Sequence, residues 1–160
     1  MMVRLMILNG PNLNLLGERE PEIYGSTTLA AVEESCRDFA ETLGMELQFL
    51  QSNHEGVLVD WIHEARHAAD AIVINPAGCS FHSVSILDAL KVFAGPIIEL
   101  HISNIHTRDE LHRNSMLASA ATGVICGLGV YGYIVAMQAA TRMAGNMPDS
   151  LPDPIRIGPV

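Results

Sequence analysis

Hydrophobic runs alternate with helix-like periodicity along the whole chain. Short apolar runs of the kind found in buried strands predict five strands, at Val3–Leu8, Glu46–Leu50, Ala71–Ile74, Ile97–Leu100 and Gly123–Cys126. Between them, apolar residues recur with the spacing of one helix face and predict helices at Leu29–Leu43, Val57–Ala68, Val84–Phe93 and Val130–Ala144. The regular succession of strand and helix predicts a parallel sheet with helices on both faces.

An α/β fold with five parallel strands suits a flavodoxin-like three-layer sandwich with strand order 2-1-3-4-5. In such a sheet the ligand site lies at the carboxyl ends of the strands, here strands 1, 3 and 4. We expect a single domain over residues 1–145. The tail at residues 146–160 is rich in proline and is expected to be extended.

Composition limits the classes of molecule that the chain is expected to bind and the compartment in which it is expected to lie. The chain has 160 residues and a formal net charge of −9, which disfavours nucleic acid and anionic membranes as partners. A small anionic substrate is compatible with this charge, because backbone N–H groups bind anions locally. The three cysteines, Cys36, Cys79 and Cys126, are odd in number and widely spaced. With an N-terminal apolar run too short for export or anchoring, they indicate reduced thiols in the cytoplasm.

One uncharged stretch of the sequence is as long as a membrane-spanning helix. From Ser115 to Thr141 there is no charged residue, and that length could cross a bilayer. Glycines divide it, however, so a buried strand leading into a buried helix explains it better.

Polar side chains gather in three loops at the carboxyl ends of predicted strands. The longest loop, Asn9–Gly25, is broken by glycines and prolines and is expected to form turns rather than regular structure. The candidates are Asn12, Arg19 and Tyr24 after strand 1, Asn75 after strand 3, and Glu99, His101 and Ser103 at the end of strand 4. An arginine beside a tyrosine stabilises the phenolate and favours its use as a base. Convergence from distant segments predicts one binding or catalytic site.

Other motifs favour structural roles. The HEARH motif, His63–His67, has the spacing of zinc ligands on one helix face but no third ligand nearby, and its histidines are expected to face solvent. The GxGxxG motif, Gly127–Gly132, opens the last helix with no strand after it, so its glycines indicate close strand-to-helix packing. Cys79 lacks an evident partner for nucleophilic catalysis, and the sole lysine, Lys91, lies in a predicted helix, which disfavours Schiff-base chemistry.

Six segments are specific enough to indicate a family. They are LNGPNLNLLGEREPEIYG, QSNHEG, INP, SVSILDAL, IELHISNIHTR and ATGVICGLGVYGY, and they occur in order from about Leu5 to Met137. In sequence and spacing they resemble the type II 3-dehydroquinate dehydratases.

The resemblance implies a reaction that needs neither metal nor cofactor. A cyclic 3-keto, 1-hydroxy carboxylate loses water across C1 and C2 by anti elimination through an enolate. Tyr24 is then the base for the C2 proton, activated by Arg19, and His101 is the acid for the C1 hydroxyl, oriented by Glu99. Asn12 stabilises the enolate.

The resemblance also implies the contacts that hold the substrate. The backbone N–H groups of Ile102 and Ser103, together with Asn75, hold the carboxylate and a neighbouring hydroxyl. Backbone N–H groups and amides are suitable donors for such anions.

The chain departs from the family pattern at two recognition positions. Relatives read roughly NPGAYTHTS where this chain reads NPAGCSFHS, so Phe81 stands where a substrate-binding histidine is expected and His82 follows it. His112 stands where relatives carry an arginine, with Arg113 beside it. A shift of one residue restores His82 and Arg113, but a helical turn rotates about 100° per residue, which leaves both equivalences open.

The leading function is dehydration of 3-dehydroquinate to 3-dehydroshikimate, in either the shikimate or the quinate pathway. Two alternatives stay open: a paralogous dehydratase for a differently substituted cyclic hydroxy-keto acid, and a flavin- or nucleotide-binding module on the same fold. The resemblance also implies a dodecamer, a tetramer of trimers, in which Asp88 reaches a neighbouring subunit's site.

Overall fold

The computed structural model describes residues 2–145 and 147–157. Its strands are β1 (Val3–Asn9), β2 (Met45–Gln51), β3 (Ala71–Asn75), β4 (Ile97–His101) and β5 (Gly123–Cys126). Its helices are α1 (Pro21–Tyr24), α2 (Leu29–Leu43), α3 (Glu55–Ala68), α4 (Val84–Leu90), α5 (Tyr131–Met143) and α6 (Asp153–Arg156).

The sheet confirms the flavodoxin-like prediction. Its five strands lie in the order β2-β1-β3-β4-β5, and every neighbouring pair is parallel. The order reverses beside β1, where one crossover leads to β2 and the other to β3. In open α/β sheets this reversal opens a crevice at the carboxyl ends of the strands.

Alternation along β1 divides the core into two layers. Leu5 and Ile7 pack in one cluster with buried residues of α2 and α5. Met6 and Leu8 face the other way and pack with buried residues of α3 and α4. Successive side chains of a strand point to opposite faces, so a nearly continuous apolar strand is buried on both sides.

Helix ends differ from the predictions for local reasons. α3 begins at Glu55, two residues earlier than predicted, and the Ser52 hydroxyl accepts a hydrogen bond from the N–H of His54 just before it. α4 ends at Leu90 instead of Phe93, because the chain tightens there into i→i−3 hydrogen bonds. Lys91 therefore caps the helix instead of lying inside it.

The loop after β1 is more regular than its glycines and prolines predict. It contains a short 3₁₀ turn at Leu13–Leu15 and the one-turn helix α1. Pro21 occupies the first position of α1, where its missing N–H costs no helical hydrogen bond and its fixed φ suits the helix. This helix places Tyr24 at its C-terminal end.

The uncharged stretch from Ser115 onward forms β5 and α5, as its glycines predict. A Cβ on Gly132 would lie 2.8 Å from Leu100 Cδ1, so this glycine of the GxGxxG motif allows α5 to pack closely on β4. Close packing of helix on strand is one ordinary use of such a glycine. In the described part of the chain, no helix combines the length and apolar character needed to cross a membrane.

The proline-rich tail departs from the extended conformation predicted for it. α6 forms one helical turn, and Arg156 Nη2 donates a hydrogen bond to Asp149 Oδ1 at 3.2 Å. Leu151 packs against the α2/α5 core. Residue 146 and residues 158–160 of the predicted tail lie outside the described residues.

Candidate active site

The carboxyl ends of β1, β3 and β4 converge on one crevice. Asn9 and Asn75, the last residues of β1 and β3, lie opposite each other in the parallel register. The loops that follow run in close contact, and a Cβ on Gly10 would lie 2.4 Å from the Pro76 carbonyl oxygen. Glycine at position 10 therefore permits the approach of the two loops. The close approach places the start of the Asn9–Gly25 segment beside the end of β3, where the Gly10 N–H donates to the Asn75 carbonyl oxygen.

A cavity of about 230 Å³ occupies this crevice. Ligand pockets for drug-sized molecules measure about 300–1,000 Å³, so this cavity suits a small metabolite. It is lined by Pro11, Asn12, Leu13, Leu16, Arg19, Tyr24, Asn75, Ala77, Gly78, Phe81, His101, Ile102, Ser103, Ile105, Arg108 and His112.

The cavity wall is basic although the chain is acidic. Two arginines and two histidines line it, and none of the described lining residues is a carboxylate. The formal net charge of the whole chain is −9. A concentration of cationic and N–H donor groups in one small cavity favours a small anionic ligand.

Tyr24 lies between two guanidinium groups. Arg108 Nη1 donates a hydrogen bond to the Tyr24 hydroxyl oxygen at 2.9 Å and another to Ser103 Oγ at 3.3 Å. Arg19 lies over the Tyr24 ring, with its guanidinium carbon 5.8 Å from the ring centroid, and pairs with Glu20 at 3.2 Å. The Arg108 guanidinium therefore contacts the phenol oxygen itself, whereas the Arg19 guanidinium lies over the ring.

His101 ends β4 and is held by a buried carboxylate. Glu99 Oε1 lies 2.5 Å from His101 Nε2, and both side chains are almost fully buried. Residues two apart on a strand share a face, which explains the contact. Ser80 Oγ lies 3.4 Å from both the Glu99 oxygen and the histidine nitrogen. A carboxylate so placed fixes the orientation of the imidazole ring.

Asn12 is held in the left-handed region, with φ +69°. Asparagine tolerates this conformation better than most residues. Its backbone N–H donates to Asn53 Oδ1 at 2.9 Å, and the same oxygen accepts from Gln51 Nε2 at 3.1 Å. The end of β2 therefore fixes the loop that carries Asn12 into the cavity.

Phe81 and His112 form an aromatic corner of the cavity. Their ring centroids are 5.4 Å apart in an edge-to-face arrangement, and Phe81 also stacks at 6.2 Å from the His101 ring. His112 Nδ1 lies 2.8 Å from both carboxylate oxygens of Asp109 and donates a hydrogen bond to them. The hydrogen bond from His112 holds the pKa of Asp109 below its usual value. Only Nε2 of this imidazole is left for a ligand.

Three predicted substrate-binding residues lie outside the cavity of this chain. His82 is exposed just after the turn that places Phe81 against the cavity, so the shift of one residue does not restore a histidine there. Arg113 is exposed, and its Nη2 donates to the Arg108 carbonyl oxygen at 3.1 Å. Asp88 is exposed on α4 near Lys91, with 3.8 Å between the charged atoms. Its contact with a neighbouring subunit stays a prediction.

The other candidate motifs lie outside the cavity wall. His63 and His67 are exposed, whereas Ile62 and Ala65 of the same helix are fully buried. Among the described residues, no three or more His, Cys, Asp or Glu side chains are grouped so that they could hold a metal ion. Cys79 is buried away from the cavity wall, and burial, with a smaller contribution from Glu55, raises the pKa of its thiol. A thiol with a raised pKa is a poor nucleophile.

Arg108 lines the cavity and contacts Tyr24, but pattern reasoning did not select it as a site residue. It closes the IELHISNIHTR segment, seven residues beyond His101, in a loop that the predicted elements do not place. The segment carries the signal, since it joins His101, Ser103 and Arg108 in one run. The hydrogen bond to Tyr24 depends on two loops meeting in space and is invisible in sequence spacing.

The chain is similar to known proteins over most of its length. The family model described as Dehydroquinase class II matches residues 3–141. The chain is 58% identical over 132 residues to 3-dehydroquinate dehydratase 2 of Agrobacterium fabrum, covering 82% of this chain and 90% of that protein. It is 54% identical over 142 residues to a catabolic 3-dehydroquinase of Verticillium alfalfae, covering 89% and 95%.

A solved structure also matches the fold. The type II dehydroquinase of Butyrivibrio crossotus has a TM-score of 0.86 and 37% identity, covering 88% of this chain and 98% of that one. The family match and the extent of these similarities lead to one assignment: the chain belongs to the class II dehydroquinase family.

Proposed function

We propose that this chain dehydrates 3-dehydroquinate to 3-dehydroshikimate. The observation that carries the proposal is a single basic cavity that holds both a tyrosine bonded to an arginine and a histidine bonded to a buried glutamate. The first pair supplies a base and the second an acid, which are the two groups that loss of water from a hydroxy ketone requires. Addition of 3-dehydroquinate should therefore produce a conjugated enone. Its formation can be measured by its absorbance.

The proton transfers follow from this arrangement. The Tyr24 phenolate takes the proton from C2, and the electron pair moves into the enolate of the C3 ketone, which Asn12 stabilises. When the enolate collapses to the C1–C2 double bond, the C1 hydroxyl leaves with a proton from His101 as water. Return of the proton from Tyr24 to His101 restores both groups for the next turnover. Acid and base act from opposite sides of the ring, as an anti elimination requires.

The anionic end of the substrate is assigned to the β3 and β4 ends. Asn75, Ile102 and Ser103 all line the cavity. We assign the substrate carboxylate to the backbone N–H groups of Ile102 and Ser103, and a neighbouring hydroxyl to the Asn75 amide. Backbone donors hold an anion without adding a mobile charge.

The reaction as proposed uses no imine and no metal. Lys91, the sole lysine, caps α4 outside the cavity wall, with its ammonium near Asp88. Borohydride added with substrate should leave the mass and activity of the protein unchanged. EDTA should have no effect on turnover.

A differently substituted ring is the second candidate substrate, and Phe81 is the observation that favours it. Phe81 lines the cavity where the family resemblance implies a histidine, and His112 lines it where an arginine is implied. An apolar ring edge cannot donate a hydrogen bond to a substrate hydroxyl. The acid and base are retained, so the reaction type is the same for both candidates.

Restoring the two side chains separates these substrates. Loss of a hydrogen bond to a charged group costs about 1.5–3 kcal/mol, roughly 10- to 150-fold in kcat/KM. We expect weakened turnover of 3-dehydroquinate by the native chain. The His112→Arg single variant should raise kcat/KM within that range, and the Phe81→His/His112→Arg double variant should raise it further. The steady-state assay is run on both chains with each single variant as control.

The other outcomes are equally informative. If the native chain already matches an efficient relative and restoration adds nothing, Phe81 and His112 are not true losses and the altered-substrate candidate fails. If neither the native nor the restored chain turns over 3-dehydroquinate, the leading function fails and the paralogous dehydratase replaces it.

We further propose that the chain assembles as a dodecamer, a tetramer of trimers, in the cytoplasm. Support comes from exposed apolar side chains in and just after the edge strand β5, Val124 and Leu128, and from free thiols at Cys36, Cys79 and Cys126. Twelve copies of a 17.3-kDa chain give about 208 kDa. Light scattering at micromolar concentration should report this mass, and a stable monomer would contradict the assembly.

A further inference from the structure

A chain of hydrogen bonds runs from β2 to the cavity wall through buried side chains. Asn9 Nδ2 donates to the Leu50 carbonyl oxygen at 3.0 Å, and the Tyr133 hydroxyl donates to Asn9 Oδ1 at 2.7 Å. Asn75 Nδ2 donates to the Tyr133 oxygen at 2.9 Å, and the Ala77 N–H donates to Asn75 Oδ1 at 3.4 Å. We call these linked side chains, Asn9, Tyr133 and Asn75, the amide relay.

The direction of every bond in the amide relay is determined by its two backbone ends. The Leu50 carbonyl can only accept, so Asn9 must present its NH₂ group there and its oxygen to Tyr133. The single hydroxyl proton of Tyr133 is then committed to Asn9. Its oxygen can only accept from Asn75. At the other end, the Ala77 N–H can only donate, which requires the Asn75 oxygen.

A flipped Asn75 amide would be penalised at both contacts. Its oxygen would face the Tyr133 oxygen, acceptor against acceptor, and its NH₂ group would face the Ala77 N–H, donor against donor. Ala77 holds φ at +51°, a left-handed conformation that costs a residue with a Cβ energy. The backbone therefore keeps a strained conformation in the turn that places this N–H beside the amide.

Burial keeps the amide relay intact. Asn9 and Tyr133 are 0% exposed and Asn75 is 3% exposed, so solvent does not replace a missing partner easily. Burial raises the pKa of Tyr133 above its ordinary value, so the phenol stays protonated and keeps donating to Asn9. Unsatisfied buried polar groups are costly, which makes the bonded arrangement strongly preferred.

We propose that Tyr133, at the start of α5, is a positioning residue for substrate binding, which fixes one orientation of the Asn75 amide towards the cavity. The inference rests on the proposed function only in taking Asn75 as a substrate contact. Tyr133 does not line the cavity wall and acts through Asn75 alone. Its hydroxyl bonds Asn9 at the end of β1 and Asn75 at the end of β3, and Asn75 is the proposed substrate contact.

The test is a double-mutant cycle between positions 133 and 75. Tyr133→Phe removes the hydroxyl and little volume, and we expect KM for 3-dehydroquinate to rise roughly 3- to 10-fold, the size of one neutral hydrogen bond, with kcat within about 2-fold. In an Asn75→Ala background the same change should leave KM unaltered. An equal rise in KM in both backgrounds, or none in either, would overturn the proposal.

A matched control separates positioning from stability. Ala136→Gly lies one turn further along α5, in the same buried face, and weakens the helix without touching the amide relay. It should lower the denaturation midpoint and leave KM unchanged. If Tyr133→Phe does not fold, Asn9→Ala breaks the relay at its far end while keeping the Tyr133 hydroxyl. The same KM rise, dependent on Asn75, is expected.

Failure of the proposed function can be distinguished from failure of the proposal for Tyr133. If the wild-type chain does not turn over 3-dehydroquinate, the substrate assignment fails, and the relay is then assessed by hydrogen exchange of the Ala77 amide. Faster exchange in Tyr133→Phe than in Ala136→Gly supports a relay that fixes Asn75. Equal exchange in the two variants contradicts it.

Discussion

Tyr24→Phe is expected to lower kcat by about 10²–10⁴-fold while leaving the fold intact, because loss of a general base typically has this effect. Only the hydroxyl is removed, and its described partner is Arg108 in the cavity. Tyr131→Phe is the matched control, since Tyr131 is 64% exposed at the start of α5 and outside the cavity wall. Steady-state kinetics of both variants decide the assignment. Near-wild-type turnover by Tyr24→Phe would show that another group removes the proton.

Arg108→Gln is expected to have the second largest effect, roughly 10- to 150-fold on kcat, because Arg108 donates the charged hydrogen bond to the Tyr24 oxygen. Arg19→Gln should have a smaller effect, since Arg19 lies over the ring and is paired with Glu20.

The kcat values of the Arg19→Gln and Arg108→Gln variants are compared by steady-state kinetics. Arg66→Gln, on the exposed side of α3, controls for loss of one positive charge from this acidic chain. A larger kcat loss in Arg19→Gln than in Arg108→Gln would support the sequence-based assignment, in which Arg19 activates the base. Equal losses would assign the phenolate to both guanidinium groups.

Much of the fold follows from patterns that are local in sequence. The apolar runs and their helical intervals predict the five strands and their order, because parallel connections are nearly always right-handed and the layers must bury both faces of the sheet. The exceptions are short. α1 lies inside a loop rich in glycine and proline, and α4 stops where i→i−3 hydrogen bonds replace helical ones. Such ends depend on a few hydrogen bonds with no periodic signal.

The candidate site, like the fold, is predictable from sequence only in part. Asn75 and His101 end their strands and Asn12 closely follows β1, and topology alone brings strand ends together. Tyr24 reaches the cavity from α1, within the loop after β1. Whether Phe81 or His82 faces the cavity depends on the rotation of a single turn, which spacing does not resolve. The pairing of Arg108 with Tyr24 and of Tyr133 with Asn75 joins segments far apart in sequence, 84 and 58 residues respectively. Such contacts arise only in the folded chain.

The central claim is that the cavity performs an elimination on 3-dehydroquinate. The most direct measurement follows enone absorbance after 3-dehydroquinate is added to the purified chain, with Tyr24→Phe and Tyr131→Phe in parallel. We expect absorbance to rise with the native chain and with Tyr131→Phe, and to stay near baseline with Tyr24→Phe, with one water lost from the substrate by mass. A native chain that forms no enone at any substrate concentration would contradict the claim.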